Sequence, residues 1–296
     1  MRTIHSVPGH HEPQVVEVGD LQAGPDQVLI QTIAAAVNPV DVFLATDAGR
    51  GAVNAGRRLG LGWDVSGRVL EVGDHVTAIA VGDVVAGVDD VMVGENRAQA
   101  ELVLLDADAV AVVPVGLDPV DAASVPLNSL TAAQAVDLLG DPHGRTLLVT
   151  GAGGAVGGYA VALARSVGWA VTGLGRPRDE EFVRSTGAGF TADAEPASYD
   201  AVLDGAVLQQ DGLAFVRDGG TFVGVQPSAP VPTERGITVK AVKVVRDASR
   251  LAELLERSVS GELAVRVAGT APLADAATVY AKVGSGGQRG RWLLVP

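Results

Sequence analysis

Hydrophobic and polar positions alternate over short distances in roughly the first 115 residues. Apolar segments bounded by Gly, Pro and Asp turn signals are typical of strands. The clearest are Gln27–Val37, Gly67–Gly73, Gly82–Val88 and Ala100–Asp106. The stretch Ala45–Gly60 shows no clear period and is predicted to be a loop. We therefore expect a β-rich N-terminal part.

After this region the spacing becomes helical. Asp118 and Pro119 resemble a helix start, because proline is tolerated in the first turn. Pro126 is predicted to end this helix, and a second helix is predicted to begin near Ser129 or Thr131.

From Thr146 onward, apolar strands alternate with helices. The predicted strands are TLLVTG, AVTGLG, AVLDG and GTFVGV, and the predicted helices are Ala155–Val167, Glu180–Thr186, about Gln209–Arg217 and Asp247–Gly261. A further helix and the strand GRWLLVP follow near residue 296. This βαβαβ order indicates an α/β fold with a doubly wound parallel sheet of the Rossmann type.

Composition narrows the possible functions. The chain has a net charge of −13 and no cluster of basic residues, which argues against nucleic acid as a partner. No run of about 18 apolar residues occurs, so we expect no membrane span. The first residues, MRTIHSVPGHHEP, contain no apolar segment of the kind found in secretory signals, and we expect a cytoplasmic protein.

Metal and thiol chemistry are restricted by the residue types present. The chain contains no cysteine, which excludes disulfides, thiolate nucleophiles and cysteine-ligated zinc. Its histidines lack the spacing of metal ligands, and the adjacent pair His10 and His11 is typical of a surface loop. We expect no metal site.

A glycine-rich segment, GAGGAVGG, joins the strand ending at Thr150 to the predicted helix. In dinucleotide-binding folds such a turn places free backbone N–H groups and a helix N-terminus against a pyrophosphate. The spacing is G-x-x-G-x-x-G rather than G-x-G-x-x-G, so a purely structural turn is the alternative. The predicted cofactor-binding residues here are Gly151, Gly153, Gly154, Ala155, Val156 and Gly157.

The end of the second Rossmann strand bears on cofactor choice. An NAD site would present Asp or Glu there for the ribose hydroxyls. The chain has Gly175 and Arg176 instead, and a guanidinium can bind a 2′-phosphate. These residues favour NADPH, with an exposed loop arginine as the alternative interpretation.

Several segments together resemble one family, the zinc-free quinone oxidoreductase-like branch of the medium-chain dehydrogenase/reductases. They are Ala34–Gly49 with its VNPVD, Leu61–Val85 with GWDVSGRV, Ala122–Val136 with PLNSLTA, the glycine loop, and the closing PLADAATVYAKVGSGGQRGRWLLV. Together these segments are spread over essentially the whole chain.

The resemblance implies two domains. A GroES-like catalytic domain would comprise residues 1–115 completed by 262–296, and a Rossmann NADPH-binding domain would comprise residues 116–261. It further implies a homodimer, and hydride transfer from NADPH to a small-molecule substrate such as a quinone, an enone or an enoyl thioester.

The same resemblance bears on zinc and on the candidate site residues. Zinc-dependent relatives carry a histidine and a cysteine where this chain has Trp63 and Asn38. Asn38 and Thr131 are predicted to position the nicotinamide or the substrate, with structural capping as the alternative. Asn128, beside Thr131, is a predicted cofactor contact, and Asp41 is a candidate catalytic residue or a carboxylate that fixes its loop.

One departure from the family pattern weakens the analogy. Many relatives continue the N-terminal segment with Tyr and Arg, where this chain has Phe43 and Ala45. The usual proton donor is therefore missing. A redox-silent or redox-neutral NADPH-binding protein stays open as an alternative, as does zinc-free ketone or alcohol chemistry, which the missing metal disfavours.

Overall fold

The computed structural model describes residues 1–53, 58–229 and 231–296. The strands are β1 Arg2–Ser6, β2 Gln14–Glu17, β3 Gln27–Val37, β4 Leu59–Gly60, β5 Asp64–Val72, β6 Val84–Val88, β7 Leu102–Asp106, β8 Val110–Val112, β9 Thr146–Thr150, β10 Ala170–Leu174, β11 Gly189–Thr191, β12 Tyr199–Asp204, β13 Val216–Gly224, β14 Thr238–Ala241, β15 Val267–Pro272 and β16 Arg291–Val295. The helices are α1 Pro39–Leu44, α2 Asp47–Ala52, α3 Pro119–Ala122, α4 Pro126–Leu139, α5 Ala155–Ser166, α6 Glu180–Ser185, α7 Gln210–Leu213, α8 Ala248–Val259 and α9 Ala276–Gly284.

The described residues form two compact units. Unit 1 comprises Met1–Leu127, Val245–Gly261 and Val265–Pro296, and unit 2 comprises Asn128–Val244 and Glu262–Ala264. The predicted limits of the two functional domains stay a prediction, and the units are described by their own bounds.

Unit 1 is built on a mixed sheet with the strand order β15-β16-β3-β5-β6-β8, in which β7 also pairs with β3. Strand β3 lies inside this sheet, between β16 and β5, and most of its side chains are buried, as expected for a strand covered on both faces. Val28 and Ile30 of β3 pack with Val65 and Val69 of β5 in one core cluster. A smaller sheet has the order β2-β1-β4.

Unit 2 has a parallel sheet with the order β11-β10-β9-β12-β13-β14. Its central strands β9 and β12 are apolar throughout their middle, and Leu148, Val202 and Phe222 are buried in one core cluster. The helix α5 connects β9 to its neighbour β10, as a βαβ crossover requires. The predicted α/β fold with a doubly wound sheet is confirmed.

Some predicted elements differ from the observed ones. Helix α4 begins at Pro126 rather than near Thr131, because a proline at the first helical position gives up an N–H that has no intrahelical partner. The predicted helix Gln209–Arg217 is shorter, since the buried Val216 already starts β13. Helix α2 forms inside the predicted loop Ala45–Gly60, of which residues 54–57 lie outside the described residues.

Helix α8 belongs to unit 1. Its buried face consists of Leu251, Leu254, Leu255 and Ser258, and it packs on β8. Arg246, just before the helix, forms ion pairs with Asp106 at 2.7 Å and with Asp108 at 2.9 Å. The apolar face and this pair of carboxylates explain why the helix lies with the N-terminal strands.

Candidate functional site

The glycine loop of unit 2 makes the turn from β9 into α5. Gly151 has φ +62°, in the left-handed region that suits glycine, and the Gly154 N–H donates to the Gly151 carbonyl at 2.7 Å. Gly154 is the N-cap of α5, so Ala155 and Val156 form its first turn. The loop therefore places the N-terminus of a twelve-residue helix at the carboxyl edge of the parallel sheet.

Two of the glycines are required by close packing. A Cβ on Gly157 would lie 2.2 Å from the Gly151 carbonyl oxygen, and a Cβ on Gly153 would lie 2.3 Å from Asp179 Cγ. The Gly151 backbone and the Asp179 carboxylate thus occupy the space that a side chain at Gly157 or Gly153 would need. The glycines at these two positions therefore let the loop pack tightly against its own chain, and this tight turn sets the N-terminus of α5 at the edge of the sheet, as in a pyrophosphate cradle.

Asp179 is a residue that the sequence prediction missed. It is buried, and its Oδ2 accepts a hydrogen bond from the Arg176 N–H at 3.3 Å. The prediction considered only residues directly after β10, where Gly175 and the exposed Arg176 lie. The signal was the acid a few residues later, which a short 3-10 turn, Pro177–Asp179, brings back to the loop.

A buried polar cluster lies in unit 1 at the start of α1. The Asp41 carboxylate accepts hydrogen bonds from the Asn38 N–H at 2.8 Å and from the Gly62 N–H at 3.0 Å. The Asp64 carboxylate accepts from the Asn38 side-chain amide at 2.6 Å and from the Leu127 N–H at 2.5 Å. Asn38 therefore links two carboxylates, one through its backbone and one through its side chain.

Burial controls the electrostatics of this cluster. Asp41 and Asp64 are both 0% exposed. Burial raises the pKa of Asp64 to about 7, against the opposing effect of its hydrogen bonds from Leu127 and Asn38, and the nearby charge of Asp41 adds to the rise. Burial likewise raises the pKa of Asp41 to about 6. Two carboxylates side by side thus hold protons more tightly than exposed ones.

The geometry of Asp41 fits the alternative in which this carboxylate fixes its loop. Both of its oxygens are engaged by backbone N–H groups, and one of them, from Gly62, belongs to the loop that carries Trp63. A carboxylate held in this way determines the backbone path of two loops. Asp64, which the sequence pattern did not single out, makes the second link of the cluster.

Trp63 packs against a buried arginine. The Arg97 guanidinium lies 4.7 Å from the centre of the Trp63 ring, and its Nε donates to Asp89 at 3.1 Å. Arg97 is 1% exposed. Within residues 1–53, 58–229 and 231–296, no three His, Cys, Asp or Glu side chains are grouped so that they could hold a metal ion.

The remaining predicted residues are placed as follows. Asn128 and Thr131 are buried and lie on α4, one turn apart, in unit 2. Thr131 lies inside α4, so the alternative in which it caps the helix does not hold, and its positioning role stays a prediction. Phe43 is 49% exposed on α1, whereas Ala45 is buried and its carbonyl accepts from the Ser6 hydroxyl at 2.9 Å.

Comparison with known proteins identifies the family. Residues 24–115 match the alcohol dehydrogenase GroES-like domain, and residues 179–294 match the zinc-binding dehydrogenase model. The chain belongs to the medium-chain dehydrogenase/reductase superfamily. Its similarities place it in the quinone oxidoreductase-like branch of this superfamily.

Individual members of the superfamily are similar along much of this chain. The 2-methylene-furan-3-one reductase of Solanum lycopersicum is 31% identical over 67% of this chain and 54% of its own length. The chloroplastic NADPH-dependent alkenal/one oxidoreductase of Arabidopsis thaliana is 30% identical over 75% of this chain and 60% of its own length. The chain thus spans little more than half of these curated relatives.

A solved structure supports the fold. The quinone oxidoreductase from Coxiella burnetii superposes with a TM-score of 0.86 at 23% identity, covering 100% of this chain and 99% of that one.

None of the described helices combines the length and apolar character needed to span a bilayer.

Proposed function

We propose that the protein is an NADPH-dependent, zinc-free oxidoreductase that transfers a hydride to a conjugated carbonyl compound, which can be a quinone, an enone or an enoyl thioester. The names of its relatives, a furanone reductase and an alkenal/one oxidoreductase, support this substrate class. The observation that carries the proposal is the Gly151–Gly157 loop, which places the N-terminus of α5 at the carboxyl edge of the parallel sheet.

The residues of the loop fit a dinucleotide. Backbone N–H groups at the start of α5, including those of Ala155 and Val156, would hold the pyrophosphate together with the helix dipole. When bound, the nicotinamide ring supplies a hydride to the β-carbon of the conjugated substrate. The charge that develops on the substrate oxygen needs hydrogen-bond donors rather than a strong base.

Asn38 and Thr131 are the residues that we assign to positioning of nicotinamide and substrate, with Asn128 as a cofactor contact. Asp64 and Asp41 hold Asn38 by its side chain and its backbone, so the Asn38 amide is fixed before substrate binds. We assign Asp41 to the shape of this loop. Zinc-free chemistry is part of the proposal because Trp63 and Asn38 are not zinc ligands.

NADPH is the proposed cofactor because Arg176 is exposed directly after β10, where a guanidinium can pair with a 2′-phosphate. Asp179, buried against Gly153, is the observation that favours NADH instead, because a carboxylate accepts from ribose hydroxyls and repels a phosphate. Titration of the protein with each dinucleotide decides between them. A lower Kd for NADH would contradict the proposed cofactor.

The reaction is tested by the absorbance of NADPH at 340 nm with a panel of quinones, enones and enoyl thioesters. We expect loss of absorbance with at least one class. Phe43 and Ala45, at positions where many relatives carry Tyr and Arg, favour the second candidate, a redox-silent or redox-neutral NADPH-binding protein. Tight binding without turnover on any class would support that candidate.

The proposal includes a homodimer. Strand β14 lies at one edge of the parallel sheet in unit 2, and an edge strand offers free N–H and C=O groups to a second copy. Light scattering after size-exclusion chromatography would give twice the chain mass of 30.0 kDa. A cytoplasmic location stays a prediction from the sequence.

A further inference from the structure

Two matched threonine–aspartate pairs join the central strands β9 and β12 of unit 2, one at each end. At the amino end, Thr146 donates its hydroxyl to Asp200 at 2.9 Å. At the carboxyl end, Thr150 donates its hydroxyl to Asp204 at 2.6 Å, and both residues are fully buried. The same chemistry therefore appears twice on the same two strands.

The pair at the carboxyl end holds an additional segment. Asp204 also accepts backbone N–H groups, from Leu208 at 3.0 Å and from Gln209 at 2.8 Å. The Thr150 hydroxyl in turn accepts from the Ala206 N–H at 3.1 Å. The loop 205–209 is thus tied to the ends of both strands.

This loop has an unusual backbone. Val207 has φ +57° and Gln209 has φ +59°, in a region that L-residues other than glycine avoid and that a β-branched side chain avoids most. Such conformations persist only where surrounding contacts impose them, and they concentrate at ligand sites. The hydrogen bonds to Asp204 are the contacts that impose the conformation.

The loop also touches the glycine loop. A Cβ on Gly151 would lie 3.1 Å from Ala206 Cβ, and a Cβ on Gly205 would lie 3.4 Å from Gly157 Cα. Val207 itself is 43% exposed. The loop that carries Val207 therefore lies beside the glycine loop, at the carboxyl edge where open α/β sheets bind their ligands.

We propose that Asp204 is a positioning residue that holds Val207 in its strained conformation so that the Val207 side chain packs on the bound dinucleotide. The inference rests on the proposed function, because it assumes that the glycine loop binds NADPH or NADH. Asp204 acts through the loop and takes no part in the hydride transfer.

The decisive variant is Val207→Gly, which removes the side chain and relieves the positive φ. Because Val207 is 43% exposed and its positive φ is relieved, we expect the Tm of the cofactor-free protein to stay within about 2 °C of wild type or to rise, while the Kd for NADPH rises at least about fivefold. A purely structural valine would give the opposite pattern, with a lower Tm and an unchanged Kd, and that result would overturn the inference.

Asp204→Asn and Asp200→Asn form a matched pair on one strand. Tm and the Kd for NADPH, measured by fluorescence titration, are compared for both variants. We expect about a tenfold rise in Kd for Asp204→Asn and less than about a twofold change for Asp200→Asn. Equal changes in Kd would overturn the inference.

The wild-type titration separates this inference from the proposed function. A protein that binds neither NADPH nor NADH would overturn both. A protein that binds a dinucleotide with the same Kd in wild type and Val207→Gly would overturn only the role of Val207.

Discussion

The glycine loop of unit 2 and the Asn38 cluster of unit 1 are built differently: the first is a turn of backbone with few side chains, and the second is a set of buried polar side chains. The loop is a tight backbone turn in which Gly153 and Gly157 leave no room for a side chain, and it leads directly into the N-terminus of α5. The cluster consists of buried carboxylates whose oxygens accept hydrogen bonds from N–H groups of the protein. The carboxylates of the cluster bind N–H groups of the protein itself. The difference shows that a polar residue near a site indicates ligand binding only once its hydrogen-bond partners are known.

The largest expected effect comes from filling the loop. Gly153→Val would place a side chain against the Asp179 carboxylate, and we expect the affinity for NADPH to fall by about 100-fold or more, which corresponds to about 2.7 kcal/mol. Calorimetric titration measures the loss. Gly19→Val is the control, because a Cβ there meets nothing within 4 Å. A Kd for Gly153→Val that equals that of the control would contradict the cradle.

In the Asn38 cluster, removal of the Asp41 carboxylate tests whether this group fixes the backbone of the two loops that contain Asn38 and Gly62. Asp41→Ala leaves the buried N–H groups of Asn38 and Gly62 without their acceptor, which costs about 1–3 kcal/mol for each unsatisfied group. We expect a lower urea midpoint with an unchanged m-value. The exposed Asp20→Ala is the control. A midpoint that matches this control would show that Asp41 does not hold the two loops.

Asn38→Ala tests whether the cluster also serves the reaction. We expect turnover to fall at least about tenfold, or about 1.4 kcal/mol, while the Kd for NADPH stays close to that of wild type. Steady-state kinetics at 340 nm and a parallel binding titration give the two values. Unchanged turnover would remove Asn38 from the mechanism and leave the cluster purely structural.

A further expected effect is a pH dependence of stability that arises in the cluster and not in the loop. The pKa of Asp64 is raised to about 7 in the folded protein and is near 4 in the unfolded chain, so the folded state binds the proton more tightly. Stability should therefore increase as pH falls from about 8 to about 5. Asp64→Asn should lose this part of the increase in Tm. If the plots of Tm against pH were parallel for wild type and Asp64→Asn, the raised pKa of Asp64 would be refuted.

The sequence predicted the elements whose signal is local. Strand β3 has the predicted bounds, and α5 differs by one residue, because an apolar run between turn residues specifies each of them. The glycine loop was recognisable because sharp turns and close approaches both require glycine. The family resemblance, confirmed by comparison, added the order of the motifs along the chain.

What the sequence did not predict depends on contacts between distant positions. Asp179 reaches Gly153 through a 3-10 turn, and the partners of Asp64 come from Asn38 and Leu127. Burial of these acids, which raises the pKa of Asp64, follows from tertiary packing and has no local pattern. The strained Val207 was likewise invisible, since a valine in sequence gives no sign of positive φ.

The division of the chain into units has a consequence for synthesis on the ribosome. Apart from Glu262–Ala264, unit 2 is one continuous segment, whereas unit 1 contains both early and late segments. Strand β3 is flanked on one side by β16, which follows unit 2 in the chain, and the buried Leu293 and Leu294 of β16 pair with Ala36 and Ala35. The sheet of unit 1 is therefore incomplete until translation reaches β16. Unit 2 begins later in the chain, but nearly all of its residues have been synthesised before β16 is made. The segment of unit 1 that precedes unit 2 in the chain therefore waits for its partner strand until after unit 2 has been made.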